Sequence, residues 1–296
     1  MSLSTFDQFK RLRAKGGREL TSEELRAHQL RLLSIFDDFA SVCKAEGVPF
    51  VLGGGSALGA VRHQGFIPWD DDFDVNVPRG EWPRLRTAFF KRFADVYRLD
   101  EPSKESNWGL AFPRIWVRNP PDGARLFLDV FLFEDAPENA VLRGLHGFGS
   151  LTLGFLYSCR KTYAERETLE AVGASGGWYR LKCALGLLLS VCSLGRWTNA
   201  WYRWNAMVRS GGSFITCPVG RRHYFGELCP RGEMFGDRTG VFEGRSVPVA
   251  PGSERYLTRL YGSDYMTPPP PEKRERHIVY RVEAEAVRSL ADDDGI

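Results

Sequence analysis

Three aspartates alternate with other residues in a short acidic stretch near the end of the first quarter of the chain. Asp70, Asp72 and Asp74 are followed by the apolar Val75. The alternation of apolar and polar side chains after Trp69 predicts a half-buried β-strand, with same-face carboxylates roughly 6.5–7 Å apart. Carboxylates this close repel one another, and a hard cation such as Mg²⁺ removes the conflict because it prefers oxygen ligands. The stretch predicts a metal site for phosphate chemistry, with an acidic surface strand as the alternative.

The same aspartates also match the first ligand positions of a calcium-binding loop. That loop needs a glycine for its sharp turn at the place where this chain has Val75. Pro68 also argues against the incoming helix of such a motif. A calcium hand is therefore disfavoured.

A glycine-rich turn lies upstream, after a short apolar strand predicted at residues 48–52. The glycines of residues 53–55 let the backbone approach a phosphate closely, and Ser56 could cap the next turn or bond a phosphate oxygen. A Gly-Ser turn followed by an Asp-x-Asp strand is the arrangement of the nucleotidyltransferase fold.

The segment 55–75 resembles the signature of the LicD family, whose relatives include the fukutin-type transferases. The family pattern reads Gly-Thr-Leu-Leu-Gly-Ala-Ile-Arg-His-x-Gly-Phe-Ile-Pro-Trp-Asp-Asp-Asp-Ile-Asp, and this chain departs from it conservatively, with Ser56 for threonine and Ala57 for leucine. Segments 128–132 and 260–277 resemble the second acidic strand and the C-terminal motif of the same family. The resemblance covers roughly residues 25–280.

The resemblance implies an activity as well as a fold. The best-known LicD members move phosphocholine from CDP-choline to a glycan hydroxyl, and fukutin-type relatives move ribitol phosphate. For this chain it implies a metal-dependent transferase that moves phosphocholine or a similar polyol phosphate to a cell-surface glycan precursor, of lipopolysaccharide or teichoic acid, and releases CMP. The alternatives are a nucleotidyltransferase that transfers NMP to a small molecule or protein, and a non-catalytic divalent-metal or glycan-binding protein.

We expect an α+β chain: a nucleotidyltransferase-like mixed sheet flanked by helices, with a mainly helical second region. The expected parts are an N-terminal extension (1–20), the catalytic core (20–135), a mainly helical insertion or second region (136–245) and a C-terminal region that completes the catalytic domain (246–290). A capping box at Thr21 predicts the first helix, which Gly47 ends. Further elements are predicted as a helix at 81–93, strands at 96–99, 110–117 and 126–133, and a final helix at 273–290.

Asp129 is the polar exception in the strongly apolar strand predicted at 126–133. Leu128 and Val130 face one way, whereas Asp129 and Phe131 face the other. A buried carboxylate without a partner is costly, so Asp129 needs a metal or an arginine. We predict that it is a further metal ligand or a general base, with a structural ion pair as the alternative.

The predicted metal centre is built from these carboxylates. Asp72 and Asp74 are predicted to hold Mg²⁺, or Mn²⁺ in its place, with Asp70 as an additional ligand and Asp129 completing the site.

Five further residues are predicted to bind the substrate. Gly55 and Ser56 are expected to contact the nucleotide phosphates, and Arg62 to clamp a phosphate, although a surface salt bridge is its alternative. By the family resemblance, Arg274 and His277 close over the donor, with a solvated helix face as their alternative. The expected partners are therefore a CDP-linked donor such as CDP-choline and a glycan acceptor.

Composition and sorting signals favour a cytoplasmic enzyme. The net charge of +3 is too small to indicate nucleic acid binding, and residues 1–10 lack the apolar core of a signal peptide. The six cysteines contain no Cys-x-x-Cys pair and are expected to be free thiols. Cys217, His223 and Cys229 offer zinc-ligand types, but their spacing matches no common zinc site.

An apolar segment at 181–194 is too short to cross a bilayer, which takes about 20 residues. We predict that it is a buried helix, with peripheral contact at the inner face of the membrane as the alternative because arginines flank it. Trp197, Trp201 and Trp204 recur at helical spacing and are predicted as core residues rather than as a cage for choline.

Overall fold

The computed structural model of the protein describes residues 20–103, 105–106, 108–120, 124–171, 173–209, 211–270 and 274. Within these ranges, seven strands form one mixed sheet, two more form a separate hairpin, and ten α-helices surround them. The predicted α+β class is confirmed. The predicted helix at 273–290 and the extension at 1–20 lie outside the described residues, apart from Leu20 and Arg274.

The strands of the mixed sheet are β1 (Val51–Leu52), β2 (Asp74–Pro78), β3 (Tyr97–Asp100), β4 (Arg114–Val117), β5 (Phe127–Asp135), β6 (Phe214–Thr216) and β7 (Cys229–Pro230). The hairpin consists of β8 (Thr239–Phe242) and β9 (Arg245–Pro248). The helices are α1 (Ser22–Glu46), α2 (Gly54–His63), α3 (Trp82–Phe93), α4 (Ala140–Ala164), α5 (Arg166–Ala171), α6 (Gly177–Leu188), α7 (Leu194–Asn205), α8 (His223–Gly226), α9 (Arg231–Met234) and α10 (Ser253–Tyr261).

Helix α1 has the ends that its sequence predicts. The Thr21 hydroxyl accepts a hydrogen bond from the Glu24 N–H at 3.2 Å, and the Glu24 carboxylate accepts one from the Thr21 N–H at 2.9 Å. Gly47 ends the helix with a left-handed backbone, at a φ of 62°. Between these caps, Phe36 stacks on Phe73 with ring centroids 4.7 Å apart. This contact packs α1 against the residue that directly precedes β2.

Strands β2 and β5 lie at the centre of the sheet and are parallel, in the order β1-β2-β5-β4-β3. The other pairs in the sheet are antiparallel. Leu128 and Val130 are fully buried in the core, and Val75 pairs with Val130 in register. The predicted alternation along β5 is thus confirmed, and Asp129 lies on the opposite face from the apolar core.

Three strands begin at least three residues later than predicted, and one of them is β1, which was predicted from residue 48 and starts at Val51. The acidic strand starts at Asp74 rather than after Trp69, because the preceding backbone carbonyls are hydrogen-bonded by side chains of α1 instead of a neighbouring strand. The strand predicted at 110–117 starts at Arg114, directly after Pro113. Proline has no N–H to donate to a ladder, so a strand commonly begins beyond it.

Helices α4 to α7 form a helical layer, and three glycines allow close packing inside it. A Cβ at Gly149 or Gly154 would collide with Trp204 or Trp201, and a Cβ at Gly186 would collide with the backbone of α4. Trp201 is buried and donates to the Ser150 hydroxyl at 3.2 Å. Trp201 is thus a core residue as predicted, whereas Trp197 and Trp204 are only partly buried.

The part of the second region that consists of long helices covers less than the predicted range 136–245. It ends with α7, and from Phe214 the chain returns to the sheet, where Thr216 of β6 pairs with Glu134 of β5. Strand β6 then pairs with β7, and the β8–β9 hairpin follows.

The prediction that residues 181–194 form a buried helix is wrong. Helix α6 ends at Leu188, a 3-10 turn covers Leu189–Val191, and Leu188 and Val191 are 71% and 86% exposed. The apolar sequence predicted burial, but no element of the described chain covers Leu188 and Val191. Among the helices of the described chain, none is both long and apolar enough to cross a membrane.

Candidate active site

Two carboxylates lie against the glycine turn at the start of α2. The Asp70 carboxylate comes within 2.5 Å of where a Cβ of Gly55 would stand, and a Cβ at Gly54 would collide with the Asp74 carboxylate. Gly54 also has a φ of +41°, which side chains disfavour. The first N–H groups of a helix lack partners within it, so this end of α2 is suited to bind an anion. The turn and the two aspartates form one site.

Ser56 lies inside α2 and holds the acidic strand in place. Its hydroxyl accepts a hydrogen bond from the Asp74 N–H at 2.9 Å, and its side chain is buried. The N-cap of α2 is Gly53, so Ser56 does not cap the helix. A direct contact between Ser56 and a phosphate stays a prediction.

A buried tyrosine from α10 supports the same helix end. The Tyr256 hydroxyl accepts hydrogen bonds from the Gly54 N–H at 3.1 Å and from the Asn76 amide at 3.2 Å. Burial raises the pKa of Tyr256 well above its usual value, so it binds these donors as a neutral hydroxyl. Sequence reasoning missed Tyr256, because residues 180 and more positions apart carry no local signal of this contact.

Two side chains of α1 fix the loop that carries Asp70. The Gln29 amide donates to the Asp70 carbonyl at 2.8 Å and to the Ile67 carbonyl at 3.3 Å, while His28 Nε2 lies 2.9 Å from the Asp71 carbonyl. The side chains of His28 and Gln29 are both buried. The His28 and Gln29 side chains therefore position the backbone of the acidic loop, a role that the sequence did not predict.

Asp129 forms an ion pair with Arg114, and Asp74 lies beside it. The register places Arg114, Asp129 and Asp74 in one row across β4, β5 and β2. The guanidinium binds the carboxylate through two hydrogen bonds, Nε to Oδ1 and Nη2 to Oδ2, the latter at 2.7 Å. The arginine that Asp129 requires as a partner is therefore Arg114. The sequence signal for this pair is the single charged residue, Arg114, in the otherwise apolar segment 111–117.

The environment of Arg114 is anionic on one side and aromatic on another. Burial alone would lower its pKa, but Asp129, and then Asp72 and Asp74, outweigh burial, so the pKa of the guanidinium is raised. Its Cζ lies 3.7 Å from the centroid of the Phe127 ring. Arg114 therefore stays charged, bonded to Asp129 and in the electrostatic field of Asp72 and Asp74.

The C-terminal segment returns to the acidic loop. Arg62 Nη1 donates to the Tyr265 carbonyl at 2.7 Å, and the Arg274 guanidinium lies over the Trp69 ring, 4.3 Å from its centroid. Burial lowers the pKa of Arg62, partly offset by Tyr261 and Asp70. Arg62 is thus half-buried near Asp70 rather than in a surface salt bridge.

Arg274 also donates to the Pro269 carbonyl at 3.2 Å, so its side chain contacts protein on two sides. The predicted role of His277 lies outside the described residues.

The donor set at the acidic loop fits Mg²⁺. Within the described ranges, no group of three or more His, Cys, Asp or Glu side chains is arranged to hold a metal ion by itself. Asp70 and Asp74 do meet at the glycine turn, where a Cβ would fill the space that their carboxylates occupy. Mg²⁺ commonly binds one or two carboxylates and takes its other ligands from phosphates and water.

The zinc-ligand types of Cys217, His223 and Cys229 do not form a metal cluster in the described chain either. Burial raises the pKa of both thiols, to about 12 for Cys229, so they are free, protonated core residues.

Comparison with known proteins connects this geometry to a family. Residues 47–143 match the family model described as LicD/FKTN/FKRP, nucleotidyltransferase domain. The chain carries a LicD-family domain. A lipopolysaccharide cholinephosphotransferase LicD from Haemophilus influenzae is 26% identical over 278 residues, covering 86% of this chain and 96% of that protein. The resemblance found in the sequence is confirmed.

The LicD-family domain contains the glycine turn, the acidic loop and the row formed by Arg114, Asp129 and Asp74. Tyr256 and Arg274, which contact the turn and Trp69, lie beyond its matched residues. The candidate site is therefore completed by the C-terminal part of the chain.

Proposed function

We propose that this chain is a metal-dependent transferase that moves phosphocholine, or a similar polyol phosphate, from a CDP-activated donor to a hydroxyl of a cell-surface glycan precursor, releasing CMP. The observation that carries the proposal is the meeting of the Asp70 and Asp74 carboxylates with the start of α2. This meeting point lies inside the LicD-matched segment. The name of the Haemophilus relative supports phosphocholine and a lipopolysaccharide acceptor.

In this proposal, Asp72 and Asp74 hold Mg²⁺ or Mn²⁺, Asp70 is an additional ligand and Asp129 completes the site. The cation, when bound, neutralises negative charge on the donor diphosphate and on the leaving CMP. Arg114 orients the Asp129 carboxylate through its two hydrogen bonds.

The rest of the site binds and orients the donor. The N–H groups at Gly55 and Ser56 bind phosphate oxygens, because the start of a helix presents unpaired donors and partial positive charge. Arg62 and Arg274 supply positive charge from the C-terminal side of the loop. A guanidinium binds phosphate bidentately, which favours arginine over lysine there.

The reaction product separates this proposal from its alternatives. The protein is incubated with CDP-choline, CDP-ribitol or CDP-glycerol, a glycan acceptor and Mg²⁺, and released nucleotide is measured. We expect CMP, no CMP in the presence of EDTA, and recovery on adding Mg²⁺ or Mn²⁺. Pyrophosphate released from a nucleoside triphosphate would instead support a nucleotidyltransferase, and metal binding without turnover would support a binding protein. Since the donors are cytoplasmic metabolites, we place the reaction in the cytoplasm.

A further inference from the structure

Large apolar side chains are exposed along two helices of the helical layer. Leu145 and Phe148 of α4 are 63% and 66% exposed, and Leu188 and Val191, at the end of α6 and in the turn beyond it, are 71% and 86% exposed. Trp178 and Leu181, at the start of α6, are about half exposed. Large exposed apolar side chains concentrated on two packed helices are uncommon on soluble proteins and mark interaction sites. We call these six residues the apolar face.

Helical spacing and one aromatic contact relate the exposed residues of α6 to those of α4. On α6, Trp178, Leu181 and Leu188 are separated by three and seven residues, which places them on one side of a helix. On α4, Phe148 and Phe155 are seven residues apart and share a side. Trp178 contacts Phe155, with ring centroids 6.0 Å apart, so α6 packs on the side of α4 that is exposed nearer its N-terminus.

The charge of the layer is strongly biased. Helices α4, α6 and α7 together contain seven Lys or Arg residues and no Asp or Glu. Since the whole chain has a net charge of +3, the remainder carries −4. Of these seven basic residues, Arg180, Arg196 and Arg203 are exposed and Lys182 is buried. Arg180 and Arg196 flank the apolar segment 181–194. Exposed apolar residues beside a cationic helix surface are typical of helices that lie in a membrane interface.

The nearby acidic residues reduce this positive charge without removing it. Glu165, Glu167 and Glu170 lie in or next to α5, outside the three basic helices. Glu165 lies 3.9 Å from Lys161, and Glu167 lies 3.0 Å from Arg166. Glu170 accepts a hydrogen bond from the Tyr179 hydroxyl at 3.1 Å. Residues 140–205 as a whole contain eight Lys or Arg and three Glu, so the net charge of this part of the chain is still +5.

We infer that the apolar face docks on the surface of an anionic lipid bilayer, with the flanking arginines at the lipid phosphates. Helix α6 has 12 residues. At about 1.5 Å per residue it is shorter than the roughly 30 Å of a bilayer core, so it would lie in the plane of the interface. Anionic headgroups attract juxtamembrane Lys and Arg, which matches the absence of acids in these helices. This inference does not depend on the proposed function, because binding to lipid requires no substrate.

Vesicle co-sedimentation of the full chain tests the inference. We expect binding to vesicles of phosphatidylcholine mixed with phosphatidylglycerol, and weaker binding to pure phosphatidylcholine or at high salt. Leu188→Glu and Val191→Glu should each lower the partition coefficient about tenfold or more, because each removes a buried apolar side chain from the bound state and adds a negative charge. Both positions are highly exposed, so thermal unfolding should not change.

Val96→Glu is the matched control, since Val96 is 45% exposed but lies before β3, outside the layer. It should bind vesicles as the wild type does. Absence of wild-type binding to the mixed vesicles, or unchanged binding by a folded Leu188→Glu/Val191→Glu double variant, would overturn the inference. So would a wild-type dimer in sedimentation velocity that Val191→Glu dissociates and that does not bind lipid, because a second copy would then cover the face.

Discussion

Asp74 is held at both its backbone and its side chain. Its N–H donates to the Ser56 hydroxyl at 2.9 Å, its carbonyl accepts from the Gly53 N–H at 2.9 Å, and its carboxylate rests against Gly54. The backbone bonds do not involve the carboxylate. Replacing the carboxylate by an amide therefore removes charge from the site while the strand start stays in place.

We expect Asp74→Asn and Asp72→Asn each to reduce CMP release to less than about a tenth of wild type, since one lost charge weakens Mg²⁺ binding and transition-state stabilisation. Steady-state CMP release and circular dichroism measure turnover and folding. Asp95→Asn, at an exposed position outside the site, is the control and should be unaffected. If both site variants kept more than that tenth, the metal assignment would be wrong.

The Arg114–Asp129 pair makes the role of Asp129 testable. As a metal ligand, Asp129→Asn should lower Mg²⁺ affinity, and added Mg²⁺ should partly restore the rate. As a general base, it should lose roughly 10²–10⁴-fold in rate without rescue. A purely structural pair, side chains 11% and 6% exposed, should instead cost about 3–5 kcal/mol of stability when broken, with normal turnover per folded molecule.

We favour the metal role, because Asp129 lies in register beside Asp74. Mg²⁺ titration of the rate and urea unfolding of Asp129→Asn and Arg114→Gln distinguish the three roles. A well-folded Asp129→Asn enzyme with full activity and unchanged Mg²⁺ dependence would exclude both functional roles.

Among the secondary-structure elements, the start of α2 is where the site is assembled. Strand β2 supplies Asp74 and Asn76, α10 supplies Tyr256, and all three contact the residues around Gly54. The positive φ of Gly54 and the carboxylate beside it leave no room for a side chain. The start of α2 therefore needs glycine at position 54 for two reasons, the left-handed backbone and the close approach of the Asp74 carboxylate.

Gly54→Ala should strongly reduce turnover, because a Cβ would displace the Asp74 carboxylate and the left-handed backbone costs roughly 1–2 kcal/mol. CMP release and thermal unfolding report the two effects. Gly80→Ala is the matched control, since no atom lies within 4 Å of where its Cβ would stand. Near-normal turnover of Gly54→Ala would show that the close approach is not needed for catalysis.

Across the whole molecule, Arg79 connects the sheet to the helical layer. Its guanidinium lies 3.7 Å from the centroid of the Tyr202 ring of α7, and its Nε lies 3.5 Å from the Glu134 carboxylate of β5. Glu134 is fully buried, and burial raises its pKa from 4.5 to about 7, although Arg79 opposes the shift. The junction between the two layers thus contains a carboxyl group that titrates near neutrality.

The free energy of unfolding should consequently fall as pH rises from 4.5 to about 7. In this window the folded state retains the Glu134 proton, whereas the unfolded chain has released it, so the unfolded state is favoured as pH rises. Glu134→Gln has no such proton and should show a smaller fall. Urea unfolding across this range measures both curves, and parallel curves would contradict the prediction.

Much of the architecture follows from local interactions that a sequence displays. The capping box of Thr21, the stop at Gly47 and the alternation around Leu128 each involve neighbours along the chain, and each was confirmed. The glycine turn and the acidic loop were also recognised, because a short motif contains both. Strand starts were less predictable, since Asp74 begins β2 only where α1 stops bonding the backbone.

Contacts between distant residues depend on how the elements pack. Hydrophobicity identified α6 as apolar, but whether Leu188 meets protein, water or lipid depends on which element covers it. A charged residue in an apolar strand indicates that Asp129 needs a partner, but only the pairing of β4 with β5 brings Arg114 to it. Helix caps, turns and alternating faces arise from near neighbours and can be read from the chain. The partners of a buried charge, and the exposure of an apolar face, come from residues that only folding brings together.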